Sequence, residues 1–382
     1  MNKGILSLLL LPICLMYAPI QGRAQGYTYL PNTTTTEVFP DHQVIFRFSD
    51  SNAVSVSLVI GTDTSPGLQT LPMSKDSSGL WSVTMGPLTP RIYEYHFVDD
   101  GLFVQDPANG ITRPHRSASD SLLQISGDPL VDDCNIPHGT LHTETYFSNV
   151  LGLNRQMVAY TPAGYDYSGA TRYPVLYLYH DAYDVPWTLI ADARVLEMLD
   201  YLIYNRQAVP MVVVLLNLHA LPPENFVAGS SNTYFIVNQH YADKELFNDV
   251  IPYLNSQYFF KTGSTAGAIA GFGSGGYEAI ESCVQHLGTF SSLGAFSPTP
   301  LGSALGTAVY NTLGQAATAN SNLKFFDLAV GDQDVIAGPA VKDFHNWLSA
   351  HGVTHTYNVI SGVYNIDTMR RELTQFLTAL FR

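Results

Sequence analysis

The sequence is poor in charge, in basic residues, in cysteine and, at one decisive place, in serine. Lys, Arg, Asp and Glu make up 13% of its 382 residues, and 18 basic side chains face 32 acidic ones. A surface of that sign repels nucleic acid and anionic lipid, so neither is expected as a partner. Three cysteines are too few for a disulfide framework. Cys134 and Cys283 could pair only if the fold brings them together, and Cys283 shares an apolar stripe with Ala279 and Ile280, the pattern of a buried, inert thiol. There is no H-E-x-x-H and no EF-hand loop, and His138 and His142 in "PHGTLH" stand four apart without acidic companions. No metal and no cofactor is therefore expected. Internal repeats are absent, and the only low-complexity tract is Thr33–Thr36. No apolar run is long enough to span a bilayer.

The longest such run, Ile5 to Tyr17, follows Lys3 and precedes the small-x-small site Gly22-Arg23-Ala24. That order predicts a cleavable signal peptide over residues 1–24 and a secreted or periplasmic protein. A lipoprotein reading fails because Ile13, not a small residue, precedes Cys14. Cleavage would also remove Lys3 and Arg23, leaving the chain more acidic still.

What remains is 46% hydrophobic and 12% aromatic, enough for a sizeable core. Residues 25–127 carry short alternating or apolar runs, "HQVIFRFSD", "SVSLVIG", "GLWSVTMG" and "YEYHFVDDGLFVQ", separated by turn residues. They predict an immunoglobulin-like all-β sandwich with Trp81 in its core. The polar stretch 128–143 reads as a linker. Over 144–382 the pattern changes to α/β. Near-continuous apolar strands such as "PVLYLYH", "MVVVLLNL", "GAIAGF" and "FFDLAVGD" alternate with amphipathic helices near Ala191–Tyr204, Asp243–Ser256, Gly276–His286, Pro339–His351 and Asp367–Phe381. That alternation predicts a mostly parallel sheet with helices on both faces.

One corner of that sheet carries the chemistry. "AIAGFGSGGYEAI", Ala268–Ile280, reads as a strand, a glycine-packed turn and a helix, the setting in which G-x-S-x-G presents a nucleophilic serine. Gly271 and Gly275 are the outer glycines, and the residue between them is Gly273. Ser274 stands one place late.

Six fragments in order, "YTPAGYD", "RYPVLYLYHD", "PMVVVLLN", "ELFNDVIPYL", "AIAGFGSGGYEA" and "GDQD", resemble the feruloyl and acetyl-xylan esterases of carbohydrate esterase family 1, the esterase D-like α/β-hydrolases. The front part, "GLWSVTMGPLTPRIYEYHFVDDG" followed by "DPAN", resembles the early-set sandwich of such esterases, which is similar to the family-48 carbohydrate-binding modules. The resemblance implies an α/β-hydrolase fold behind the sandwich and places a Ser-Asp-His triad at Gly273, Asp334 and Tyr364. Two of the three members are substituted. It also implies an oxyanion loop in which the family's His-Gly is His180-Asp181, with Asp181, Ala182 and Ser274 bounding the cleft, and it gives His180 a structural place.

Glycine has no side chain with which to attack, and a tyrosine hydroxyl with an ordinary pKa near ~10 is a poor general base. Losing serine or histidine alone can abolish about as much turnover as losing the whole triad, roughly 10⁶. Three readings follow. The first is a silent esterase-like protein that binds a xylan-type polysaccharide or an acylated sugar, with Tyr183 and Trp187 available for stacking. The second is an active ester hydrolase using Ser274 as a shifted nucleophile. The third is a structural or assembly protein whose cleft Tyr364 fills. In the first and third, Gly273 should relax the strain that a serine would bear at this turn. The sequence sets no oligomeric state.

Overall fold

The computed structural model describes residues 35–61, 67–114, 119–221, 231–258 and 267–382. The expected signal peptide lies outside them. From Thr34 to Arg382 the chain forms one compact unit, and among the described residues no helix is long and apolar enough to cross a membrane.

The front part consists of two antiparallel sheets. One contains Thr36–Val38, Val44–Ser49, Leu80–Met85 and Ser74–Lys75. The other runs in the order Leu68–Pro72, Val56–Gly61, Arg91–Asp99, Ser119–Ile125 and Thr112–Pro114, with Leu102–Val104 hanging from Arg91–Asp99. Alternation decides which residues face inward: Val44, Phe46 and Phe48 from one sheet meet Leu58, Ile60, Tyr95 and Phe97 from the other. The Phe46 and Tyr95 rings meet edge to face at 5.1 Å, and Trp81 is buried in the same core. The short outer strands give no apolar signal because their side chains are mostly exposed.

Behind it lies an eight-stranded sheet in the order Thr140–Ser148, Leu153–Thr161, Val212–Leu216, Val175–Tyr179, Gly267–Phe272, Ser292–Phe296, Phe325–Gly331 and Thr356–Ile360. The first two pairings are antiparallel and the rest parallel. Central strands are buried on both faces. In Val175–Tyr179, Val175, Tyr177 and Tyr179 enter one core, while Leu176 and Leu178 enter the other. The edge strand Thr140–Ser148 begins inside the stretch read above as a linker. Only two of its nine residues are buried, so it lacks the apolar run that marks its neighbours.

Of the helix expected over Ala191–Tyr204, the part Val195–Tyr204 is helical, and a separate helix, Pro186–Ala191, precedes it across a break. At the break Arg194 adopts φ +53°, and the carbonyls of Asp192 and Ala193 accept from the Arg370 guanidinium. The short helices Gly306–Leu313 and Ala316–Asn322 bury only Val309 and Leu313, and Ala319, respectively. Cys134 and Cys283 are both free; Cys283 is wholly buried, and burial pushes its thiol up to about 12.

The two parts are joined through charge. Arg113, from the front strand Thr112–Pro114, is ion-paired with Glu94 of its own sheet and reaches Asp184 Oδ1 at 2.9 Å and Asp192 Oδ2 at 3.2 Å. Arg91 lies 3.6 Å from Asp367 at the start of helix Ile366–Ala379. The Thr188 hydroxyl donates to the Pro114 carbonyl at 2.5 Å. These contacts hold the front sheet over one end of the parallel sheet.

Candidate active site

Four loops at the carboxyl ends of the parallel strands converge, the place where open α/β sheets put their ligand sites. They carry Asp181, Gly273, Asp334 and Tyr364. The corner between Gly267–Phe272 and helix Ser274–Gln285 is tight. A Cβ on Gly271 would overlap the Gly275 carbonyl group, and one on Gly275 would overlap the His180 carbonyl oxygen. Only glycine lets strand and helix approach this closely.

At the apex, Gly273 has φ +52° and ψ −117°. A side chain resists this conformation, and glycine accepts it. The turn is anchored on both sides: the Gly273 N–H donates to the Phe296 carbonyl at 2.9 Å, and its own carbonyl accepts from Thr299 and Tyr277, each at 3.1 Å. The elbow is formed, and its apex bears no side chain.

The space a side chain would enter is already taken. A Cβ built on Gly273 would overlap the Tyr364 hydroxyl and Asp181 Oδ1, and would lie 2.5 Å from the Asp181 carboxyl carbon. Tyr364 donates to Asp181 Oδ2 at 2.7 Å. Burial and the neighbouring Asp181 carboxylate raise the Tyr364 hydroxyl well above its ordinary pKa, which keeps its proton in place.

Asp181 does a second thing. Its Oδ1 accepts from the Ala182 N–H at 2.7 Å and from the Ser274 N–H at 2.8 Å. In an α/β-hydrolase elbow, the oxyanion hole is built from the N–H after the nucleophile and one from the loop behind the neighbouring strand. The Ala182 and Ser274 N–H groups stand at those two places in this chain, and both are taken by the Asp181 side chain.

Asp334 is buried at the end of Phe325–Gly331. Its Oδ1 accepts from the Ile336 N–H at 2.9 Å and the Ala337 N–H at 2.8 Å. Its buried Oδ2 has no hydrogen-bond partner among the described residues. An unpartnered carboxylate oxygen marks the side from which an orienting acid would receive an imidazole N–H.

Ser274 is buried and opens the helix, its side chain one residue beyond the apex. Among the described residues no hydrogen bond joins its hydroxyl to an imidazole. His180, at the end of the neighbouring strand, places Nδ1 2.7 Å from the Asp181 carbonyl and accepts the Leu218 N–H at Nε2, 3.1 Å away. That pairing puts its proton on Nδ1 and fixes it as a strut. Tyr183, in the loop after Val175–Tyr179, and Trp187, in helix Pro186–Ala191, are 62% and 42% exposed. His138 pairs with Asp200 and His142 with Thr161, and among the described residues no cluster of His, Cys, Asp or Glu could hold a metal.

The structure thus brings Gly273, Ser274, Asp181, Ala182 and Tyr364 together, with Asp334 beside them. It adds residues that sequence reading misses: Arg91 and Arg113 from the front sheet, with Asp184 and Asp367 that meet them. Arg113 sits in a three-residue strand, and nothing local signals that it reaches another sheet. Burial outweighs the Arg113 guanidinium at Asp184 and pushes that carboxyl up to about 6; burial also raises Asp192.

Residues 148–334 match the Esterase family. A curated relative, the endo-1,4-β-xylanase/feruloyl esterase of Xylanibacter ruminicola, is 27% identical over 237 residues, which is 60% of this chain. The chain spans about a third of that relative's length, 31%. Among solved structures, the carbohydrate esterase family 1 ferulic acid esterase of Anaeromyces mucronatus superposes with a TM-score of 0.57 at 21% identity. The match covers 68% of this chain and 98% of that one. The enterobactin esterase of Shigella flexneri superposes with a TM-score of 0.65 at 15% identity, over 91% of this chain and 95% of that one. The second match therefore takes in the front sheets as well as the parallel sheet.

Proposed function

We propose that this chain, which is similar to the Esterase family over residues 148–334 and to feruloyl esterases, is an esterase-like α/β-hydrolase with a hydrolytically silent role in which the old cleft binds without turning over. One observation carries this reading: the point from which an oxygen should attack is a glycine, and the Tyr364–Asp181 pair occupies the space beside it. Two further features support it. Asp181 occupies the N–H pair that would stabilise a tetrahedral intermediate, and Asp334 lacks the partner it would orient. Each would lower ester hydrolysis on its own, and together they remove nucleophile, base and oxyanion stabilisation.

The ligand system we propose is xylan-type polysaccharide or an acylated sugar, after the xylanase/feruloyl esterase named for the Xylanibacter relative, met outside the cytoplasm after export. The test is a turnover assay on the purified chain with methyl ferulate and a short nitrophenyl ester. Rates should equal the uncatalysed background and be unchanged in Ser274→Ala. Turnover that disappears in Ser274→Ala would establish the shifted-nucleophile reading instead.

A further inference from the structure

A second cavity, of about 450 Å³, shares no residue with the cleft. It lies between helix Gly338–Ala350 and helix Gly306–Leu313, with Gly302 at its edge. Its volume falls within the ~300–1,000 Å³ of ordinary small-molecule sites.

Helical spacing builds one wall. Ala340, Asp343, Phe344 and Trp347 stand at i, i+3, i+4 and i+7, so all four share one face of Gly338–Ala350. Phe344 is buried, Trp347 is half-buried and Asp343 is exposed. The other wall is Tyr310, from Gly306–Leu313. Its ring stands at 82° to Phe344, centroids 6.1 Å apart, and at 75° to Trp347, centroids 4.7 Å apart. Three rings at steep angles make a corner rather than a stack. The Tyr310 hydroxyl donates to the Gly302 carbonyl at 3.2 Å, which ties the ring to the cavity edge.

We propose that this aromatic corner binds an organic ammonium ion, with Asp343 as its counter-ion. The inference is independent of whether the cleft turns over.

Charge carries the assignment. Aromatic faces are negative and attract a cation within about 6 Å of the ring centre. Asp343 is the one charged residue lining the cavity, and it makes no hydrogen bond or ion pair among the described residues. Lys342 precedes it on the helix but is not part of the lining, because adjacent helical residues do not share a face. An anion would find a carboxylate and no base. A neutral apolar ligand would cover the rings while stripping water from Asp343 without replacing it. An alkylammonium meets both demands, its methyl or methylene groups on the rings and its charge toward the carboxylate. The chain as a whole, at −14, draws cations toward its surface.

The test is calorimetric titration of the full chain with choline and with 3,3-dimethylbutan-1-ol, which has the same shape without the charge. His351 stacks on Trp347 at 4.0 Å from outside the lining, so the titrations are run at about pH 8, above the ordinary range of imidazole. Choline should bind saturably with a Kd of about a millimolar or tighter, and the alcohol at least about tenfold more weakly. Asp343→Asn, at an exposed position where folding is insulated from the change, should weaken choline about fivefold. Asp343→Glu keeps the charge and should retain most of the affinity, and Tyr204→Ala, an exposed aromatic on another helix, should leave it unchanged. The proposal is overturned if choline shows no saturable binding, if the neutral alcohol or D-xylose binds as tightly, or if Asp343→Asn leaves the affinity intact. The esterase assay is read separately and bears only on the cleft.

Discussion

Restoring the missing serine is the perturbation whose outcome the structure fixes most sharply. Gly273→Ser adds a Cβ that overlaps the Tyr364 hydroxyl and the Asp181 carboxylate, at a backbone with φ +52°. Three costs arise together. A side chain in a sparsely populated backbone region costs of order 1–3 kcal/mol. Forcing atoms into a packed site costs about 1–3 kcal/mol. Displacing the Tyr364 hydroxyl breaks a hydrogen bond to a carboxylate, itself worth about 1.5–3 kcal/mol. The flexible ends of Tyr364 and Asp181 can yield, so the terms overlap, and a loss of about 3–5 kcal/mol is expected.

The same geometry predicts strong coupling. In an Asp181→Gly, Tyr364→His background the obstructing atoms are gone, and adding Gly273→Ser should cost only the backbone strain, about 2 kcal/mol less than in the native background. The assay is equilibrium unfolding in urea on the four corners of that cycle. A Gly273→Ser protein within about 1 kcal/mol of the native chain, or the same cost in both backgrounds, would refute the reasoning. It follows that reverting only Gly273 and Tyr364 should not restore hydrolysis, because Asp181 would still hold the Ala182 and Ser274 N–H groups; all three changes are needed.

Other outcomes are equally specific. Arg113→Met removes the guanidinium that Glu94, Asp184 and Asp192 share, and should cost about 3–5 kcal/mol. Front and rear cores should then unfold in separate steps in a calorimetric scan, and a single unchanged transition would contradict the docking role. Asp184 has a folded-state pKa of about 6, above the ordinary carboxylate value, so the folded state holds its proton more tightly. Its contribution to stability is fullest below the unfolded pKa near ~3.9 and is lost as pH rises through about 6. Asp184→Asn should therefore flatten the stability profile between about pH 4 and 6, and an unaltered slope there would show that this carboxyl does not titrate as described.

Local sequence specified much of the architecture. The strand cores "VLYLY" and "VVVLL" are apolar at every position because both faces of those strands are covered, the pattern of central parallel strands. The elbow was legible for a similar reason: Gly271 and Gly275 leave no room for a Cβ where strand and helix cross, and such steric demands are written residue by residue. The vacancy at Gly273 and the tyrosine at 364 were equally visible, since a missing side chain needs no coordinates to be noticed.

What needed three dimensions was everything that depends on two distant segments meeting. Sequence placed Asp181 on the oxyanion loop, but only the fold puts its carboxylate on the Ala182 and Ser274 N–H groups and its other oxygen on Tyr364, 183 residues away. The helix break at Asp192–Arg194 depends likewise on the distant Arg370. Arg113, in a short strand without periodic signal, acquires its role only when the front sheet lies over Asp184 and Asp192. Periodicity reports which face of an element is buried. It carries no record of which charged tip from elsewhere will be buried against it, because that is set by how whole sheets pack.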